Sequence, residues 1–180
     1  MPVTLQILPP RFAKLAPPLR RLLKILGVAA GNWSISIVRD AEMAALHART
    51  MNIPTTTDVL TFDLSDPPPK NRKLKIENRK SLDLDTVICV DEARRRAQEF
   101  DHAVDQELLL YALHSLLHVR GYDDTTPAEF KRMHAREDEL LAKIGIGPVY
   151  TKSKTQNAKR KPHPSSRKSK VENRKSGGAR

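Results

Sequence analysis

Cysteine is almost missing: Cys89 stands alone in 180 residues. A single thiol excludes an intrachain disulfide framework and any zinc module built on paired cysteines. It suits a reducing compartment, the cytoplasm. Long apolar runs are missing too. None approaches the roughly 20 residues that cross a bilayer, and no basic segment followed by a signal-type apolar stretch opens the chain, so no membrane partner is expected. Apolar residues make up 39% against 29% charged, below the globular average. One core can form if part of the chain stays out of it.

Nearly all of the net positive charge sits in one stretch. Residues 151–180 hold eleven Lys and Arg against Glu172, whereas the first 150 residues are nearly neutral. With Val171 as its one aliphatic residue beyond two alanines, this stretch cannot bury enough surface to offset its ordering entropy. It reads as a disordered basic tail, either an anchor for nucleic acid through phosphate contacts or a solvated, non-specific extension. Within the domain at 1–150, DPPPKNRKLKIENRKS at 66–81 reads as a polar insertion.

The pattern of the body predicts helices at 18–27, 40–49, 91–100, 105–119 and 127–144, with strands at 33–39, 58–64 and 85–90. Asp40 and Asp91 are expected to cap the helices they precede. Thr126-Pro127-Ala128-Glu129 is a capping box with proline at the first helical position. The helix at 105–119 is apolar on nearly every side and therefore belongs in the middle of the domain. The order implies an α+β fold, a small mixed sheet with helices mainly on one face. The metal site would sit on the buried helix and the turn after it.

His114 and His118 lie four residues apart on that helix, one turn, so both imidazoles share a face and can share a metal ion. Asp124 follows past Gly121, where the chain can turn back. Three ligands with a fourth position left to water make a catalytic rather than a structural site, and imidazole favours Zn²⁺, one per chain. Metalloproteases with this spacing place Glu directly after the first His as general base. Ser115 stands there, which disfavours a peptidase. Asp123 is a candidate for orienting a histidine or, equally, for forming the turn. Arg39, Arg49 and Arg120 are candidates for holding a phosphate backbone. His134 is expected to lie on the surface or serve helix packing, Asp58 and Thr57 strand entry, and Trp33 the core.

HSLLHVRGYDD (114–124) resembles the signature of the YbeY-like family of bacterial rRNA-maturation endoribonucleases, close to HGxLHLxGYDH. TDVLTF (57–62), LDTVICV (84–90) and MHAREDELL (133–141) resemble that family's strands and closing helix, so the likeness covers roughly 33–145. It implies a zinc-dependent endoribonuclease of single-stranded RNA acting in 16S rRNA 3′-end maturation and ribosome quality control, with the small ribosomal subunit as partner. His114, His118 and Asp124 would be the ligands. Three departures stand out. Asp124 replaces the usual third His. Ser115 replaces Gly and would add a hydroxyl near the metal. Met51 stands where the family often has a substrate-facing Arg, which leaves Arg49 as the nearby candidate catalytic residue. Two other classes compete: a non-catalytic ribosome assembly factor with a structural zinc, and a zinc hydrolase of a small phosphoester or amide.

Overall fold

The computed structural model describes residues 3–65 and 80–149. The basic tail and residues 66–79 of the polar insertion lie outside the described residues. Along the chain come β1 (Thr4–Leu8), α1 (Ala16–Ile25), β2 (Ala30–Val38), α2 (Asp40–Met51), β3 (Val59–Asp63), β4 (Ser81–Cys89) and then three helices, α3 (Val90–Phe100), α4 (Val104–Val119) and α5 (Pro127–Lys143). The sheet order is β1-β2-β4-β3. β1 and β4 run parallel to β2, and β3 runs antiparallel to β4. This is the expected small mixed sheet.

Several bounds differ from the sequence expectation: α1 runs Ala16–Ile25 rather than 18–27, and β2 begins at Ala30 rather than 33. β1 was not expected: five residues between prolines give too short a periodic signal, and its partner β2 lies far along the chain. β4 begins at Ser81 rather than 85, because Leu82 and Leu84 point into the core while Asp83 and Asp85 alternate away from it.

Alternation divides the sheet into two unequal faces. Trp33, Ile35 and Ile37 of β2 and Leu84 and Ile88 of β4 join α1, α4 and α5 in the main core. Their neighbours Val38, Val87 and Cys89 meet Met43 and Leu46 of α2 on the other side. Helices therefore cover mainly one face, with α2 alone opposite among the described elements. Trp33 is a core residue, and its indole donates to Thr86 Oγ1 at 2.9 Å.

α4 runs through the main core. Leu108, Leu109, Leu113, Leu116 and Leu117 are all essentially inaccessible, each contributing about 1.5–3 kcal/mol by burial. Ser115 faces the sheet, in hydrogen-bond contact with Thr61 Oγ1 at 2.9 Å and Thr86 Oγ1 at 2.8 Å. Its hydroxyl, added relative to the family pattern, joins α4 to β3 and β4.

The capping expectations divide. Thr126 Oγ1 accepts from the Glu129 amide at 3.2 Å and the Glu129 carboxylate accepts from the Thr126 amide at 3.1 Å, the expected box. Asp91, however, does not precede its helix, since α3 starts at Val90. Its carboxylate accepts the Asp40 amide at 3.2 Å and so satisfies the start of α2 from the neighbouring element.

Candidate metal centre

Glu107, Tyr111, His114 and His118 recur at spacings of four, three and four along α4, which places them on one stripe. The lower part of the stripe meets α5 and the turn at 121–126. Gly121 has φ +84°, a left-handed conformation that glycine adopts without strain, and it folds the chain back so that Asp124 faces both histidines. His114 Nε2 lies 2.9 Å from His118 Nε2 and 3.7 Å from Asp124 Oδ2, and His118 Nε2 lies 3.9 Å from Asp124 Oδ1. Ligand atoms about 2.0–2.1 Å from one tetrahedral ion stand about 3.3 Å apart. The three separations bracket that value. Among the described residues, this is the group of three His, Cys, Asp or Glu side chains placed to hold one ion.

Both histidines are held in the tautomer that ligation requires. His118 Nδ1 faces the Tyr122 carbonyl at 3.1 Å. A carbonyl has no proton to give, so Nδ1 carries the hydrogen and Nε2 presents its lone pair. His114 Nδ1 faces Glu137 Oε1 at 2.7 Å, and a carboxylate fixes it the same way. Two Nε2 lone pairs 2.9 Å apart repel unless a proton or a metal ion lies between them, so the donor set fits a cation. Electrostatics agrees. Burial alone would lower the pKa of His114, but the Glu137 hydrogen bond and charge, with Asp58 and Asp124, outweigh it and raise the net value. Burial and the charge of His114 lower the pKa of His118.

Glu137 is the site residue that the sequence reading missed. Fully buried on α5, it also accepts from His134 Nδ1 at 2.5 Å, so one carboxylate orients two imidazoles. Burial works to raise its pKa, yet the bonds from His114 and His134 prevail and lower it. A signal was present: Met133, Glu137, Leu140 and Leu141 form the apolar stripe of α5, and an acid within such a stripe needs a partner. His134, expected to serve packing, lies beside the centre, its ring 6.3 Å from that of His114. Asp123 does not orient a histidine. Its carboxylate accepts the Asp124 amide at 2.8 Å and shapes the turn.

Two cavities flank the centre. One of about 340 Å³ is lined by Asp58, Arg96, Phe100, His102, Glu107, Tyr111, His114, Asp124, Phe130, His134 and Glu137, among others. The second, of about 450 Å³, is lined by His118, Thr61, Asp63 and Met51. Met51 thus faces the site, and no cation stands at that position. Arg49 is exposed on the last turn of α2 and lines neither cavity. Arg120 is buried at the end of α4, and Arg39 pairs with Asp91 at 3.3 Å. Asp58 accepts the Val59 amide at 2.8 Å, as expected at a strand entry.

With this geometry established, comparison with known proteins is decisive about kinship. The family described as Endoribonuclease YbeY matches residues 18–145. The chain belongs to the YbeY family. Relatives named Endoribonuclease YbeY include one from Mycolicibacterium gilvum, 38% identical over 112 residues, covering 62% of this chain and 63% of that protein. One from Anaeromyxobacter sp. is 39% identical over 124 residues, 69% and 60%, and one from Mycobacterium tuberculosis is 37% identical over 108 residues, 60% and 61%. The chain thus spans about three fifths of the length of these YbeY relatives. The solution structure of TM1509 from Thermotoga maritima aligns with a TM-score of 0.52 at 18% identity, covering 91% of this chain and all of that one. That likeness bears on the fold alone.

Proposed function

We propose that this member of the YbeY family is a metal-dependent endoribonuclease that cleaves single-stranded RNA, acting in 16S rRNA 3′-end maturation and ribosome quality control in the cytoplasm. The observation that carries the reading is a three-ligand centre, with both imidazole tautomers fixed, opening onto a cavity. A structural zinc site closes its fourth position with protein, whereas a catalytic one keeps it free. His114, His118 and Asp124 hold the ion, which is zinc on ligand chemistry. When bound, the ion would supply an activated water and positive charge for phosphodiester hydrolysis.

The chain's own residues do the rest. Glu137 keeps the hydrogen of His114 on Nδ1 and so aims Nε2 inward, and the Tyr122 carbonyl does the same for His118. Asp124 replaces a neutral ligand with a negative one, which makes the centre a weaker Lewis acid than three histidines would. The basic tail is a second, sequence-independent grip on the RNA backbone.

Metal analysis of protein purified without added metal is expected to give one zinc per chain. His114→Ala is expected to abolish hydrolysis of single-stranded RNA, and undiminished cleavage by that variant would remove the reading. Truncation after residue 150 is expected to weaken RNA binding and flatten its salt dependence. An unchanged slope would exclude the tail as an anchor.

A further inference from the structure

Helical cations on this domain are of two kinds. On α3, Arg94, Arg95 and Arg96 are consecutive and each meets an acid: Arg94 pairs with Asp91 at 2.7 Å, Arg95 with Asp40 at 2.7 Å and Arg96 with Glu92 at 3.2 Å. On α1, Arg20, Arg21 and Lys24 are exposed, and none meets an acid among the described residues. No Asp or Glu precedes Asp40 in the chain, so α1 has no local acid to draw on. Arg20 donates from Nη1 to the Val3 carbonyl at 3.3 Å, which satisfies a donor and leaves its charge uncompensated. Spacings of four and three put Lys24 on one face with Arg20 and Arg21, where like charges repel by about 0.2–0.5 kcal/mol per pair. Lys24 gains from the helix C-terminus, but the two arginines lie mid-helix. The opposite face, Leu19, Leu22, Leu23 and Leu26, is buried in the main core, so the cations face outward. Beyond the end of α1, the Lys80 carbonyl accepts the Ala29 amide at 2.7 Å, which sets another exposed cation beside the helix.

We propose that the outer face of α1, with Lys80 beside it, is a docking surface for the phosphate backbone of RNA, apart from the metal centre. The proposal rests on the endoribonuclease reading for its partner and adds a second point of attachment to it. The character of the face selects that partner. Protein interfaces centre on apolar and aromatic side chains and are depleted in Lys, whereas Ile25 is the one large apolar residue exposed on α1. Unpaired cations with so little apolar surface suit phosphates, whose neutralisation releases condensed counterions. Sheet topology separates the face from the centre. Arg20 reaches Val3, next to the edge strand β1. Thr61 and Asp63, which line the cavity at His118, belong to β3 at the opposite edge. Three strand spacings of about 4.8 Å put those edges about 14 Å apart. An RNA held at both places therefore runs across the domain, with its cleaved segment at the centre and its flank on α1.

The test titrates salt against the binding of fluorescein-labelled single-stranded RNA to the full chain, read by fluorescence anisotropy in metal-free protein. The α1 variant, Arg20→Gln with Arg21→Gln and Lys24→Gln, is compared with Lys14→Gln, Arg94→Gln and Lys143→Gln combined. The second variant removes the same charge from exposed cations already paired with Asp105, Asp91 and Glu139. At about 0.7 per phosphate contact, the α1 variant is expected to lower the salt slope by about 2 and the affinity roughly 10- to 100-fold near 0.1 M salt. The paired-cation variant is expected to change the slope less than half as much. Without RNA, the α1 variant is expected to unfold at a temperature no lower than wild type, because repulsion on the helix is relieved. An unchanged slope in the α1 variant overturns the surface, and is the result an acidic protein partner would give. Equal changes in the two variants overturn it as well, since net charge alone then explains them. Cleavage is read separately with zinc added. If the α1 variant loses affinity as expected but wild type cleaves no RNA, the docking surface stands and the nuclease reading falls. If wild type cleaves and the slope is unchanged, the nuclease reading stands and the surface falls.

Discussion

Replacing Glu137 by Gln tests the architecture of the centre without touching a ligand. The carboxylate accepts from His114 Nδ1 at 2.7 Å and His134 Nδ1 at 2.5 Å, and no part of it reaches solvent. Glutamine has the same size but one carbonyl oxygen and one NH₂ group, so it can accept from only one of the two rings. If the NH₂ faces His114, that ring must move its hydrogen to Nε2, where it blocks ligation. If it faces His134 instead, His114 keeps a neutral acceptor in place of a charged one, and a hydrogen bond of about 1.5–3 kcal/mol falls to about 0.5–1.5. The second arrangement costs about 1–2 kcal/mol and the first costs more, in line with the 10- to 100-fold weakening of metal affinity seen when partners of ligating histidines are removed. Titration of zinc against a competing chelator measures it, and thermal unfolding of the metal-free variant checks that the fold persists. A zinc affinity within twofold of wild type would refute the claim that Glu137 orients His114.

Glu107 gives a pH signature in stability. Burial pushes its pKa from the ordinary 4.5 up to about 7, so the folded state holds its proton where the unfolded chain has lost it. Stability from this group is present below about pH 4.5 and lost as pH rises to about 7, a change of about 3 kcal/mol. Glu107→Gln is therefore expected to be more stable relative to wild type at pH 8 than at pH 5, by up to that amount, in urea titrations at the two pH values. Gly31 has φ +109°, and a β-carbon there would lie 1.8 Å from the Leu82 carbonyl oxygen across the β2–β4 pair. Gly31→Ala is expected to lose at least about 2 kcal/mol by the same measurement. Thr126→Ala removes the cap of α5 and should cost about 1 kcal/mol. Met51→Arg places a cation in the cavity beside His118 and should tighten RNA binding while steepening its salt slope by about one; an unchanged slope would show that position 51 does not meet the backbone.

Local periodicity and spacing made a good part of this protein legible in the sequence. The buried α4, the His114–His118 turn, the return at Gly121 toward Asp124 and the Thr126 cap are relations between residues a few positions apart. Helical geometry and turn chemistry fix such relations almost without reference to the rest of the chain. The strand β1 escaped because its evidence is its pairing with β2, which no short window contains. Glu137 escaped for the same reason: it is 23 positions from His114, and only the packing of α5 on α4 brings them together. Packing also decided that Met51 rather than Arg49 faces the centre, that Asp91 caps a helix other than its own, and that Glu107 meets a cavity instead of a core. The sequence alone determined which side chains could ligate. Tertiary structure determined which nitrogen each histidine presents, because a tautomer is set by the hydrogen-bond partner across the fold and not by the neighbours along the chain.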